Sequence, residues 1–167
     1  MSIGIFYGSN GGATKDVANE IKKELNLDAD VIDIADATKK IFNQYDKFIL
    51  GTSTWGEGDL QDDWEDNLDM FKELNFSGKT VALFGVGDQV SYEDTFVDGM
   101  NILYEIVKKN GASIVGDKWP AESYDFSESL SLKDGIFIGL VIDDDNQDEQ
   151  TSTRIKEWTN KIKKNYQ

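Results

Sequence analysis

Apolar runs of strand length alternate along the chain with stretches whose apolar positions recur at helical spacing. A parallel sheet with crossover helices requires that alternation. Strands are predicted at residues 3–7, 30–34, 47–51, 80–86 and 113–116, with a second piece of the last at 136–142. Phe48-Ile49-Leu50 and Val81-Ala82-Leu83-Phe84 are apolar without interruption, as strands covered on both faces are. Helical faces are formed by Val17, Ala18, Ile21 and Leu25; by Trp64, Leu68, Phe71 and Leu74; by Met100, Leu103, Ile106 and Val107; and by Ile155, Trp158 and Ile162. Five strands and about five helices predict a three-layer, doubly wound α/β sandwich. Right-handed crossovers put the loops after the first, third and fourth strands on one edge, at the strand carboxyl ends.

Residues 117–135 interrupt this pattern. They carry the sole proline, Pro120, and a polar run, and they split the fifth strand signal in two. The segment reads as an excursion from the sheet edge without a core of its own. With 167 residues and no linker or repeat, the chain is predicted to be one domain, residues 1–167.

The first loop, Gly8-Ser9-Asn10-Gly11-Gly12-Ala13-Thr14, leads from a strand straight into a helix. Small residues let backbone N–H groups converge there, and a helix beginning at that point aims its positive end at the same place. Ser9 and Thr14 add hydroxyls, and only Lys15 brings a nearby charge, which suits a monophosphate better than a polyphosphate. The nucleoside-triphosphate loop G-x-x-x-x-G-K-[ST] is absent, and the glycine spacing does not fit G-x-G-x-x-G. An ordinary glycine-rich turn is the alternative.

Two more loops are expected beside this one: Gly51-Thr52-Ser53-Thr54-Trp55-Gly56-Glu57-Gly58-Asp59-Leu60 and Gly85-Val86-Gly87-Asp88-Gln89-Val90-Ser91-Tyr92. Each has one large aromatic among small residues, so Trp55 and Tyr92 are candidate walls for a flat ring. Trp64, Trp119 and Trp158 are read as packing residues.

Composition narrows the chemistry. The chain has neither cysteine nor histidine, which excludes disulfides, thiolate chemistry and the usual neutral-pH proton shuttle. Any redox chemistry then needs a bound organic cofactor. With 17 basic and 32 acidic residues the net charge is −15. Such a surface repels nucleic acid and anionic membrane and attracts a basic protein face. The start Met1-Ser2-Ile3-Gly4 runs directly into a strand without a signal-peptide pattern, and no apolar stretch is long enough to cross a bilayer, so a cytoplasmic location is expected.

These residues carry a family resemblance. Over its whole length the chain resembles a flavodoxin of the long-chain type. Its first loop is similar to the family's T-x-T-G-x-T phosphate loop, with Ser9, Gly12 and Thr14 at matching places and Gly11 where a hydroxyl residue is usual. Trp55 and Tyr92 match the residues flanking the isoalloxazine, within Thr-Trp-Gly-Glu-Gly-Asp-Leu-Gln-Asp-Asp-Trp (54–64) and Gly-Asp-Gln before Tyr92. Residues 139–147 resemble the last strand and its loop, from which Asp145 would reach the ribityl hydroxyls, and 117–135 match the insertion of long-chain members. Thr95 and Val97 stand where some relatives carry longer amides.

The resemblance implies non-covalent FMN, bound by Ser9, Asn10, Gly11, Gly12, Ala13, Thr14, Ser53, Thr54, Trp55, Gly56, Glu57, Gly58, Val86, Gly87, Asp88, Tyr92, Val97 and Asp145. It implies a low-potential one-electron carrier rather than an enzyme. Neither catalytic residues nor a metal are expected, and the carrier would be monomeric. The partners would be basic faces of redox proteins, of flavodoxin/ferredoxin reductase or oxoacid oxidoreductase type. Gly56 tolerates positive φ, so the Gly56–Glu57 peptide can turn its carbonyl toward the flavin. Glu57, Asp59, Asp62, Asp63, Asp88 and Asp145 would lower the potential of the last electron.

Three other readings remain. A flavodoxin-like NAD(P)H or quinone reductase would need a second pocket over the ring. A phosphorelay receiver would need acids at Gly8-Ser9 and Gly51-Thr52. A calcium loop at residues 143–148 lacks the required glycine and the closing glutamate.

Overall fold

The first apolar run becomes β1 (Ile3–Gly8), buried along its length. A computed structural model describes residues 2–167; Met1, where the sequence-predicted direct entry begins, lies outside the described residues. Helix α1 (Ala13–Leu25) buries Val17, Ala18, Ile21 and Leu25 as their spacing predicts. There follow β2 (Ala29–Asp33), a 3-10 turn at Ile34–Asp36, α2 (Lys39–Phe42) and β3 (Lys47–Trp55). A short β4 (Asp59–Leu60) folds back on β3 and leads into α3 (Asp62–Asp66) and α4 (Leu68–Lys72). The continuously apolar β5 (Thr80–Val86) precedes α5 (Asp98–Lys109) and β6 (Ser113–Ile114). The chain ends through β7 (Trp119–Pro120), β8 (Leu132–Lys133), β9 (Ile136–Phe137), β10 (Leu140–Ile142) and α6 (Asp144–Tyr166).

The main sheet has the order β2-β1-β3-β5-β10, and all four of these pairings are parallel. The doubly wound α/β architecture expected from the alternation is therefore present. The fifth position is interrupted: β6 pairs with Thr80 and Val81 at the start of β5, and β10 pairs with Phe84 to Val86 at its end.

Several sequence boundaries are corrected. β3 does not stop at residue 51 but runs to Trp55, because Thr54 and Trp55 pair antiparallel with Leu60 and Asp59. The helix expected across Trp64 to Leu74 breaks at Asn67 (φ −105°), whose amide donates to the Asp63 carbonyl at 2.8 Å and so competes with the backbone ladder. Ile136 and Phe137 leave the predicted fifth strand for a small antiparallel sheet of order β7-β9-β8 formed with the excursion. That excursion has no core of its own, as predicted. Its Tyr124 and Phe126, together with Phe137 of β9, pack against Phe96, with ring centroids 5.2–6.1 Å apart. The acidic run after β10 is not a loop: it forms the first turn of α6, which is kinked at Gln147.

Candidate functional site

The loop leaving β1 is held open at the start of α1. Gly12 has φ +93°, a left-handed conformation that glycine adopts without steric cost, and it sits at the helix N-cap with no side-chain cap. Ser9 Oγ accepts the Gly12 N–H at 2.9 Å, which closes the loop on itself. The first N–H groups of a 13-residue helix therefore point out without a capping side chain, the arrangement that receives an anion. Thr14 lies in that first turn, with its residue buried.

Beyond it, β3 delivers Ser53, Thr54 and Trp55 to the same edge. Trp55 is 42% exposed, and its indole N–H donates to Ser53 Oγ at 2.9 Å, which sets the orientation of the ring. Thr54 Oγ1 accepts the Gly99 N–H at 2.9 Å and so ties β3 to α5. Gly56, Glu57 and Gly58 form the tip between the paired Trp55 and Asp59, with Gly56 at φ +53° and Gly58 at +90°.

The third element follows β5. Asp88 Oδ1 accepts the N–H groups of Val90 and Ser91 and the amide of Asn146, at 2.8–3.0 Å. Burial works against its ionisation, but these donors outweigh it and hold the carboxyl below its ordinary range. Tyr92, 38% exposed, stands at the end of this turn, its N–H donating to the Asp88 carbonyl at 3.0 Å.

These pieces enclose one cleft of about 230 Å³. Ser9, Asn10, Gly11, Ala13 and Thr14 line one end, Ser53, Thr54 and Trp55 one side, and Val86, Gly87, Asp88 and Tyr92 the other. Asp145, from the first turn of α6, completes it. Its carboxyl is raised above the ordinary value by burial first, then by Asp88, Asp143 and Asp144. Gly12 and the tip 56–58 flank the cleft without lining it. Val97 does not reach it: the residue is 1% exposed and packs beneath Gly87, at left-handed φ +48°.

Two supporting residues lie outside the set that the sequence predicts. Gln61, fully buried, donates to Asn10 Oδ1 at 2.6 Å and accepts the Asp63 and Trp64 N–H groups, joining the first loop to the segment after β4. Asp143, also fully buried, accepts from the Gln89 backbone and amide at 2.9 and 2.7 Å and from the Asn146 N–H at 3.0 Å. Aspartate followed by asparagine three residues on, after an apolar strand, is a helix N-cap signal that was available in the sequence. Gln61 offered no such signal.

The described residues contain no helix long and apolar enough to cross a membrane. A family model described as Flavodoxin matches residues 5–158. The chain is 47% identical over 163 residues to a flavodoxin of Synechocystis sp., covering 96% of this chain and 95% of that protein. It is 44% identical over 161 residues to flavodoxin 1 of Escherichia coli, covering 95% and 91%. Among solved structures, Fusobacterium nucleatum flavodoxin bound to flavin mononucleotide superposes with a TM-score of 0.92 at 34% identity, covering 98% of both chains.

Proposed function

Because this chain belongs to the flavodoxin family, we propose that its cleft holds FMN non-covalently, with the phosphate at the N-terminus of α1 and the ring between Trp55 and Tyr92. The chain is an electron-transfer protein, not an enzyme. FMN, when bound, supplies the one-electron chemistry; the protein's share is to bind it, orient it and set its field. The observation that carries this reading is that an uncapped helix start and two exposed aromatics share one cleft.

The residues divide the task by place. Ser9, Asn10, Gly11, Gly12, Ala13 and Thr14 surround the phosphate, where dipoles and hydroxyls rather than a formal charge balance it. Ser53 and Thr54 steady the wall made by Trp55, and the tip Gly56-Glu57-Gly58 borders the ring edge. Val86, Gly87, Asp88 and Tyr92 form the opposite side, and Asp145 faces the ribityl chain. Val97 serves from beneath, as packing under Gly87. The positive φ at Gly56 leaves the Gly56–Glu57 peptide able to turn its carbonyl toward the ring.

The whole chain, residues 1–167, acts as one FMN-binding unit, monomeric and cytoplasmic. Its partners are redox proteins of reductase or oxoacid oxidoreductase type that present a basic face. Glu57 and Asp59 beside Trp55, Asp88 in the turn before Tyr92, and Asp62 and Asp63 bonded to Asn10 and Gln61 at the first loop make an acidic border that steers such a face, so the encounter weakens as salt is raised. Absorption spectra during stepwise dithionite reduction test the reading. Yellow protein taking up two electrons in two resolved steps supports it. Colourless protein that takes up no FMN, or steady turnover of NADPH by the chain alone, contradicts it.

A further inference from the structure

Arg154 is the only arginine in a chain with 32 carboxylates. Among the described residues it nevertheless forms no ion pair. It is 5% exposed, in α6 against the excursion. Its guanidinium lies 4.1 Å over the Tyr124 ring, Nη2 donates to Ser123 Oγ at 3.2 Å, and Nη1 has no partner. A guanidinium cannot shed its proton to escape desolvation, so a buried one needs an anion or a π face. Tyr124 supplies the π face and Ser123 one acceptor, which leaves donor capacity unused.

Arg154 also lines a crevice of about 150 Å³ between α6 and β7 that shares no residue with the cleft described above. Trp119 and Pro120 form an apolar wall, and Ser123 and Thr153 bring hydroxyls. Lys161 brings a second cation, its Nζ 5.2 Å over the Trp119 ring. Glu157 also borders the crevice but pairs with neither cation.

We propose that this crevice binds a small organic carboxylate, its head on Arg154 and its apolar body against Trp119 and Pro120. A planar carboxylate accepts parallel N–H bonds from a guanidinium fork and carries a single charge. A phosphate dianion lacks an apolar body and meets Glu157 with twice the repulsion. The rim is tied to the first turns of α6, because Gln147 Nε2 donates to the Ser123 carbonyl at 2.9 Å.

The test uses 15N-labelled, FMN-loaded protein, so that the first cleft is filled, titrated with sodium benzoate, sodium phosphate or sodium chloride at matched ionic strength. Benzoate is expected to give saturable shifts at the Trp119 indole N–H and the Arg154 Nε–H. Arg154→Lys keeps the charge and loses the fork, and is expected to weaken binding at least tenfold while the rest of the spectrum is retained. Lys161→Gln, on the exposed side, is expected to weaken it severalfold. Absence of a saturable benzoate shift, an equal shift from chloride, saturation by phosphate alone, or unchanged affinity in both variants would overturn the proposal.

Discussion

The indole of Trp55 is bonded to Ser53, two residues earlier on the same strand, at 2.9 Å. Both residues line the cleft, so the orientation of this indole is fixed by its own strand. Such a net hydrogen bond contributes about 1 kcal/mol. Ser53→Ala should therefore weaken FMN and riboflavin alike by roughly fivefold, measured by flavin fluorescence quenching. A change confined to FMN would place the effect at the phosphate instead.

Gly11 stands where the family's phosphate loop usually has a hydroxyl, and a Cβ there meets nothing within 4 Å. Gly11→Thr adds a donor beside the anion without a clash. Tightening of FMN by about 1 kcal/mol, roughly fivefold, is expected, with riboflavin unaffected. Weaker FMN binding would mean that the loop cannot aim the hydroxyl inward.

The acids around the cleft should depress the second one-electron couple. A carboxylate about 10 Å from the ring at an effective dielectric near 20 contributes roughly 1.7 kcal/mol, and about a third of that survives one Debye length of salt. That corresponds to about 25 mV per carboxylate. Neutralising Glu57, Asp59 and Asp62 together should raise the second couple by several tens of millivolts, more at low salt, as potentiometric titration would show. An unmoved couple removes the electrostatic account.

Asp145 provides a pH test. Its folded-state pKa lies above the ordinary 3.8, from burial first and then from Asp88, Asp143 and Asp144. Ionising it therefore costs the fold. That cost is absent below 3.8 and fully present once the pH passes the raised value. In the apoprotein, Asp145→Asn should raise the melting temperature at pH 7. The gain should shrink toward pH 4; a gain that grew with acidity would contradict the sign.

How far these residues were legible in the sequence follows from the length of the signals. Strands such as Phe48-Ile49-Leu50 and Val81 to Phe84 declare themselves by uninterrupted apolarity, and with the helical repeats between them they set the sheet order. The cleft residues were legible because small and aromatic residues cluster at the carboxyl ends of those strands. The two-residue strands β7, β8 and β9 are too short to show a period of two, and their pairing depends on partners far along the chain. Asn67 breaks a helix whose apolar spacing continues across it, through a side-chain bond that periodicity does not register. Val97 was placed by resemblance alone, and the packing of Phe96 and Val97 against Gly87 turns it away from the cleft. Gln61 is a polar residue in acidic surroundings, where nothing local distinguishes a buried hydrogen-bond hub from a solvated face.

The central claim is that the start of α1 holds a phosphate while Trp55 and Tyr92 hold a ring. Titrating the apoprotein with FMN and with riboflavin, before and after Gly12→Ala, tests it most directly. At φ +93° an alanine costs about 1–2 kcal/mol and disturbs the N–H groups of the loop. The account predicts that FMN binds much more tightly than riboflavin and that Gly12→Ala narrows the difference by weakening FMN alone. Equal affinity for the two flavins, or equal losses for both in the variant, would contradict it.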